Sequence, residues 1–329
     1  MSDVAALSAP QAPGSPDTGG SSAPAGKVRA EFWGFVRSRP GFFAGYIIVA
    51  AMVLIGLIAP VLPLTSPVDA DANAYLLPPD WAHPMGTDTA GLDIFSRVLF
   101  APRVDLFIAL LSTAGAALTG CFLGAFVGLW EGRRDPKGWT STLVLRTADV
   151  LQAFPVFALA LVLVAVMGQG VASIVIALGV VNIPVYLRLM RGETLTLRRE
   201  AFVEAARIAG ASDSKLLGRH IVPNALAPIL AQMTTNMGVA VLLTAGLSFL
   251  GAGVRAPTPE WGSMIAMGFQ NVVTGQWWPS IFPGLALALT VFGLGRIGAS
   301  IQAWSNPRER ARSSPRDWAA FRRLHAGGR

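Results

Sequence analysis

The chain has 329 residues, 53% of them hydrophobic and only 14% charged, with a formal net charge of +7 at pH 7. Soluble globular domains carry roughly 25% charged residues, so this composition, together with 35 Gly and 23 Pro, excludes an ordinary soluble protein and predicts an all-α integral membrane protein. The positive balance does not point to nucleic acid, because the basic residues gather on one side of the apolar segments, as the positive-inside rule requires. The single cysteine, Cys121, lies in an apolar segment and excludes an intramolecular disulfide.

In chain order, residues 1–26 are Ser, Pro, Ala and Gly with almost no large apolar side chain. Such a stretch cannot bury enough surface to offset its ordering entropy, so it reads as a disordered tail within a cytoplasmic N-terminal segment, 1–39. A spanning helix needs about 20 mostly apolar residues, and six windows within a transmembrane region 40–305 qualify: 42–62, 104–130, 143–167, 171–190, 222–250 and 282–303. A basic tail, 306–329, follows. Lys27, Arg29, Arg37 and Arg39 precede the first span; Arg133, Arg134 and Lys137 join the second to the third; Arg191, Arg198, Arg199, Arg207, Lys215 and Arg219 join the fourth to the fifth. The opposite side receives only Arg97, Arg103 and Arg255. This asymmetry predicts that both termini are cytoplasmic, that the number of spans is even, and that segments 63–103 and 251–281 face outward.

Between the fourth and fifth spans lies EAARIAGASDSKLLGRHIVPN, residues 204–224. The region 198–220 predicts two short helices lying along the cytoplasmic surface, with Gly210 as a left-handed cap and Ser212 or Asp213 opening the second helix. Small Ala205, Ala206 and Gly210 would let another backbone approach closely. Read from the residues alone, the segment is either a solvated or headgroup-bound connector or a functional insert; a connector this long with helices of its own favours function.

Elsewhere the sequence is sparing with chemistry. The phosphate-cradling Gly-x-x-x-x-Gly-Lys-Ser/Thr pattern is missing, no His, Cys and carboxylate group has metal-ligand spacing, and His83, His220 and His325 lie in different segments. The chain is therefore not expected to be an enzyme or to bind a cofactor or metal. Gln152, Asn182, Gln232, Thr235 and Asn236 are polar at membrane depth, and they either line a water-filled pathway or hydrogen-bond between helices. An ion-coupled transporter would place an acid at midplane; Asp105 and Asp149 instead lie toward the ends of their spans.

The run Glu204-Ala205-Ala206, then Gly210, then His220-Ile221-Val222-Pro223-Asn224, resembles the EAA loop of ATP-binding-cassette importer permeases, in the form found in the dipeptide/oligopeptide branch. HPMGTD (83–88), DIFSR (93–97), GLSFLG (246–251), PTPEWGSM (257–264), Trp277-Trp278 and Phe282-Pro283-Gly284 are similar to that branch in the same order. Departures are Leu92 where the branch usually has Arg, Pro102 where it has Gly, and a sixth-span end, GLGRIGASIQAW, without the usual Gly-Asp pair.

The resemblance implies a six-span importer permease of the bacterial cytoplasmic membrane. Its partners would be a second homologous permease, two cytoplasmic ATPases that bind ATP and Mg, an outer substrate-binding protein and membrane lipid. Glu204, Ala205, Ala206, Gly210, Ser212 and Asp213 would couple to an ATPase, Gln152, Asn182, Gln232, Thr235 and Asn236 would line the pathway, and His83, Asp88, Asp93 and Glu260 would dock the receptor. The cargo would be di- or oligopeptides, with nickel chelates, glutathione or antimicrobial peptides as alternatives.

Overall fold

The computed structural model describes residues 25–306; the expectations for residues 1–24 and for the basic tail beyond 306 lie outside the described residues. The first described helix, α1 (Ala25–Arg37), occupies most of the described part of the N-terminal segment 1–39 and is not expected from the sequence. Phe32, Trp33, Phe35 and Val36 repeat at helical spacing and pack on α2 (Pro40–Ile58), the helix of the first span, and on the far end of the chain. A 3₁₀ turn, Ala59–Val61, ends that span.

A long outer segment leads to α3 (Ile94–Phe100) and α4 (Pro102–Trp130). Pro102 sits in the first turn of α4, where a missing N–H costs nothing, so this departure from the family pattern is structurally comfortable.

The third expected span, 143–167, is not one straight helix. α5 (Pro136–Ala153) and α6 (Val156–Met167) meet at 91°. Apolar composition runs through the bend, but Pro155 pushes Phe154 out of the helical region, to φ −84° and ψ 139°. Among the described residues there are thus five helices long and apolar enough to cross a membrane, or six if the bent pair counts as one span.

α7 (Val171–Leu197) runs seven residues past its expected end at 190. Its contact with α4 is the most extensive in the fold. Gly120, Gly124 and Gly128, one turn apart on α4, meet the α7 backbone so closely that a Cβ at Gly120 would lie 2.6 Å from the Ile183 carbonyl oxygen. Small residues in a stripe are how membrane helices gain packing without a hydrophobic driving force.

Then come α8 (Ala201–Ile208), α9 (Asp213–Leu216), a π-helical turn (Leu217–Ile221), α10 (Val222–Phe249), α11 (Trp261–Phe269) and α12 (Trp278–Ser305). The central core joins α4, α6, α7, α10, α11 and α12 through residues such as Ile108, Val164, Leu178, Val241, Trp261 and Leu287. Among the described residues there is no strand, only an isolated bridge between Thr87 and Asp93.

The outer segments 63–103 and 251–281 are knitted into one platform by Arg97, which is only 1% exposed. Its Nη1 donates to the carbonyls of Pro67 (2.9 Å) and Pro257 (3.0 Å), and its Nε lies 4.0 Å from Asp88 Oδ2. Trp278 Nε1 donates to Thr87 O at 3.2 Å and Trp261 Nε1 to Val98 O at 3.3 Å. Leu92 is buried in the same platform, so an apolar residue suits that position.

Replacing Arg97 with Ala would strand two carbonyls and a buried carboxylate at once. A loss of about 3 kcal/mol is expected, read as a lowered unfolding midpoint in detergent, whereas the exposed Arg103→Ala change should leave the midpoint unmoved.

Candidate functional site

The segment between α7 and α10 is built from two short helices with Gly210 left-handed (φ +82°) between them, as the sequence predicts. Ser212 occupies the N-cap position of α9 but makes no side-chain cap bond, so the turn is fixed by other contacts.

Those contacts lie on the inner face. Val203, Leu216, Leu217 and Ile221 are at most 4% exposed and pack against Ala125 and Leu129 of α4, Met190 of α7, and Ala225 and Ile229 of α10. Each such side chain is worth roughly 1.5–3 kcal/mol when the alternative is water. Val203 does not stand out in the sequence, because one apolar residue among Phe202, Val203, Ala205 and Ala206 carries no mark of which way it points.

A polar clamp completes the seat. Asp213 Oδ2 accepts from Trp130 Nε1 (3.1 Å) and Lys137 Nζ (3.2 Å), with Arg133 Nη1 at 4.0 Å. Lys137 also lies 5.4 Å from the centre of the Trp130 ring, and Trp130 stacks on Phe126 at 5.0 Å. Beside it, Arg191 donates to both carboxylate oxygens of Glu131 (2.7 and 2.5 Å), which holds the Glu131 carboxyl below the usual carboxylate range. Arg198 Nη1 donates to the carbonyls of Gly128 (2.9 Å) and Glu131 (3.3 Å). Asp213, expected to face a partner, is thus directed at its own chain.

The outer face is different. Glu204, Ala205, Ala209, Gly210 and Ser212 are exposed, and so are two large apolar side chains, Ile208 (81%) and Phe202 (44%). Glu204 is tied only to Arg207 one turn on, at 3.3 Å. A cleft of about 600 Å³ opens between this helix pair and the α4–α5 loop, lined by Glu131, Arg133, Arg198, Glu204, Arg207 and Asp213. Ala206, half-buried, packs inward beside Val203.

The other candidates divide. Gln232 Nε2 donates to Asn236 Oδ1 at 2.8 Å, and the buried Asn236 Nδ2 has no partner among the described residues. Thr235 turns away from them: its Oγ1 bonds to Ala231 O (3.2 Å) and lies against Gly298 of α12. Asn182 bonds within α7, to Leu178 O at 2.8 Å, and Gln152 lies at the C-terminal end of α5, next to the bend at Phe154. Among the described residues, the Gln232–Asn236 hydrogen bond is the one that joins two of the five.

The four receptor candidates also turn inward. Asp88 accepts from the amides of Ala90 and Leu92 (2.8 and 2.9 Å), Asp93 from Ser96 N (2.7 Å) and His83 Nδ1 (3.0 Å), and Glu260 from Gly262 N and Ser263 N (both 2.7 Å). Asp88, Asp93 and Glu260 are buried, because each is consumed in closing a turn or capping α3 or α11. They fold the outer platform and do not form its surface. Asp105 accepts from Trp261 N (3.2 Å), and Asp149 pairs with Arg188 (2.8 Å).

Residues 120–311 match the family described as the binding-protein-dependent transport system inner membrane component. The chain belongs to that family. It is 36% identical over 264 residues to the dipeptide transport system permease protein of Alkalihalophilus pseudofirmus, covering 80% of this chain and 84% of the relative. Similar matches are a probable D,D-dipeptide transport system permease of Escherichia coli K12 (36% over 268 residues; 82% and 88%) and a glutathione transport system permease of Pectobacterium atrosepticum (34% over 279 residues; 84% and 90%). The family match spans the seated helix pair and the helices that hold it.

Trp130→Phe keeps the ring stack on Phe126 but removes the N–H that Asp213 accepts. The expected cost is about 1 kcal/mol, seen as roughly fivefold faster amide exchange in 213–221 with α4 unchanged. Equal exchange would show that the apolar seat alone holds α9.

Proposed function

We propose that this permease moves peptides across the bacterial cytoplasmic membrane as one of two homologous permease subunits of an ATP-driven importer. ATP and Mg bind in two separate cytoplasmic ATPases, and an outer binding protein delivers the cargo. Both termini and the α8–α9 pair are cytoplasmic, an orientation supported by the placement of the Lys and Arg residues. The peptide cargo rests on the names of the dipeptide permeases among the relatives.

The observation that carries the reading is the two-faced α8–α9 pair. Its back is fastened by buried apolar side chains and the Asp213 clamp, while its front exposes Phe202, Glu204, Ala205 and Ile208 to solvent. Large apolar side chains displayed on a cytoplasmic helix suit a protein partner. In the proposed cycle, the ATPase cleft grips this front, and closure of the two ATPases pushes the pair. The push passes through Val203, Leu216 and Ile221 into α4, α7 and α10, which turn the pathway from inward- to outward-facing.

Shifting such an equilibrium from 1:99 to 99:1 takes about 5.5 kcal/mol. Four seated side chains at roughly 1.5–3 kcal/mol each can bear that load without the pair peeling off. An open apolar groove of about 580 Å³ between α4 and α10, lined by Ala117, Cys121, Phe122, Leu226, Leu230 and Met233, is the surface proposed for the second permease. Gln232 and Asn236 supply neutral amide groups to the pathway; the residues of the outer platform support the receptor without contacting it through Asp88, Asp93 or Glu260.

Two substitutions test the front and the bend. Glu204→Lys reverses the charge offered to the ATPase, and Gly210→Pro forbids φ +82°, since proline holds φ near −65°. Both are expected to abolish uptake of labelled dipeptide in cells expressing all subunits, with normal amounts of permease in the membrane. Undiminished uptake in both would refute the coupling role.

A further inference from the structure

α12 carries a guanidinium on its inner-leaflet stretch that the transport cycle leaves unused. Arg296 packs across α2 at Gly45 and Gly41, one turn apart. A Cβ at Gly41 would lie 3.1 Å from Arg296 Nη2, and the Arg296 Cβ occupies the space where Gly45 lacks a side chain. The side chain therefore runs along α2 from Gly45 toward Gly41, which is the end of α2 nearest α1. Its Nε reaches Gly41 O only at 3.4 Å, and its Cζ lies 4.9 Å from the centre of the Phe42 ring.

Arg296 is half-exposed and makes no ion pair among the described residues. A second guanidinium, Arg39, approaches the same ring at 5.5 Å and the Phe35 ring at 4.6 Å. Around them stands an aromatic wall in which Trp304 meets Phe32 and Phe35 (both 5.5 Å) and Trp33 meets Tyr46 (5.3 Å). Tryptophan and tyrosine favour the depth of lipid headgroups, and a long basic side chain near a helix end reaches to that depth.

We infer that Arg296 binds the phosphate of an anionic phospholipid in the leaflet adjoining α1. A planar guanidinium presents paired N–H donors that match two phosphate oxygens. A hydrogen bond as long as 3.4 Å to one carbonyl leaves most of the Arg296 donors for such a ligand. The neighbouring lipid-facing residues of α2, Phe43, Ile47 and Leu54, are exposed and suit the acyl chains. The site holds the start of α2 against α12, a role separate from ATPase coupling and independent of the cargo.

The test uses the permease co-purified with its partner subunits in detergent. Native mass spectrometry counts retained phosphatidylglycerol against phosphatidylcholine for the wild type, Arg296→Gln and Arg296→Lys, with inorganic phosphate as a competing arm. Wild type should retain phosphatidylglycerol preferentially. One lost basic contact should weaken retention about fivefold in Arg296→Gln, with Arg296→Lys between, while phosphate alone should not compete at equal concentration.

Should Arg296→Gln fail to assemble, Gly41→Val provides the second arm, because its side chain displaces the guanidinium while keeping the charge; it too should lose the preference. Equal phosphatidylglycerol retention in the assembled variants, or full displacement by inorganic phosphate, would overturn the site. Neither result bears on uptake, so failure here and failure of the coupling reading are distinguishable.

Discussion

A short helix transmits a push only if one side of it is fastened far more firmly than the other. That asymmetry organises the α8–α9 pair of this protein. Val203, Leu216, Leu217 and Ile221 are sunk between α4, α7 and α10, and the Asp213 carboxylate is held by Trp130 at the end of α4 and Lys137 at the start of α5. What remains on the opposite side is a free working face with Glu204 at its centre. The glycine stripe of α4 adds to this seat: backbone-to-backbone contact with α7 joins the two helices against which Val203 packs, and in the proposed cycle it would carry displacement at Val203 into the core.

The outer end uses the same logic with polar groups. A polar backbone near a membrane must be satisfied from within, and the outer segments achieve this around Arg97, whose donors collect carbonyls from two stretches about 190 residues apart in sequence. Asp88, Asp93 and Glu260 cap amides at the turns and helix starts nearby. Motif carboxylates and a motif arginine that look like contact residues are thus tied into the fold.

Much of the architecture is legible in the sequence because membrane burial is a matter of composition: the apolar windows at 42–62, 104–130, 222–250 and 282–303 correspond to helices that differ by only a few residues at their ends. The α8–α9 pair is legible for a different reason, since charge and a lone Gly210 stand out in greasy surroundings. The bend at Phe154–Pro155 was missed because hydropathy is blind to direction, and α1 because its aromatic face follows a stretch without apolar residues. The orientation of Val203 against Ile208, or of Asp213 toward Trp130, depends on neighbours about 80 positions away along the chain, which no local pattern encodes.

The most direct measurement of the central claim is a cross-link from the working face. With Cys121 replaced by Ser, a single Ile208→Cys is expected to label with membrane-impermeant maleimide only when the cytoplasmic side is open, and to cross-link to the ATPase through a short bifunctional thiol reagent, whereas Val203→Cys should do neither. Labelling of Ile208→Cys from outside intact cells, or cross-linking to lipid alone in the assembled importer, would contradict the account.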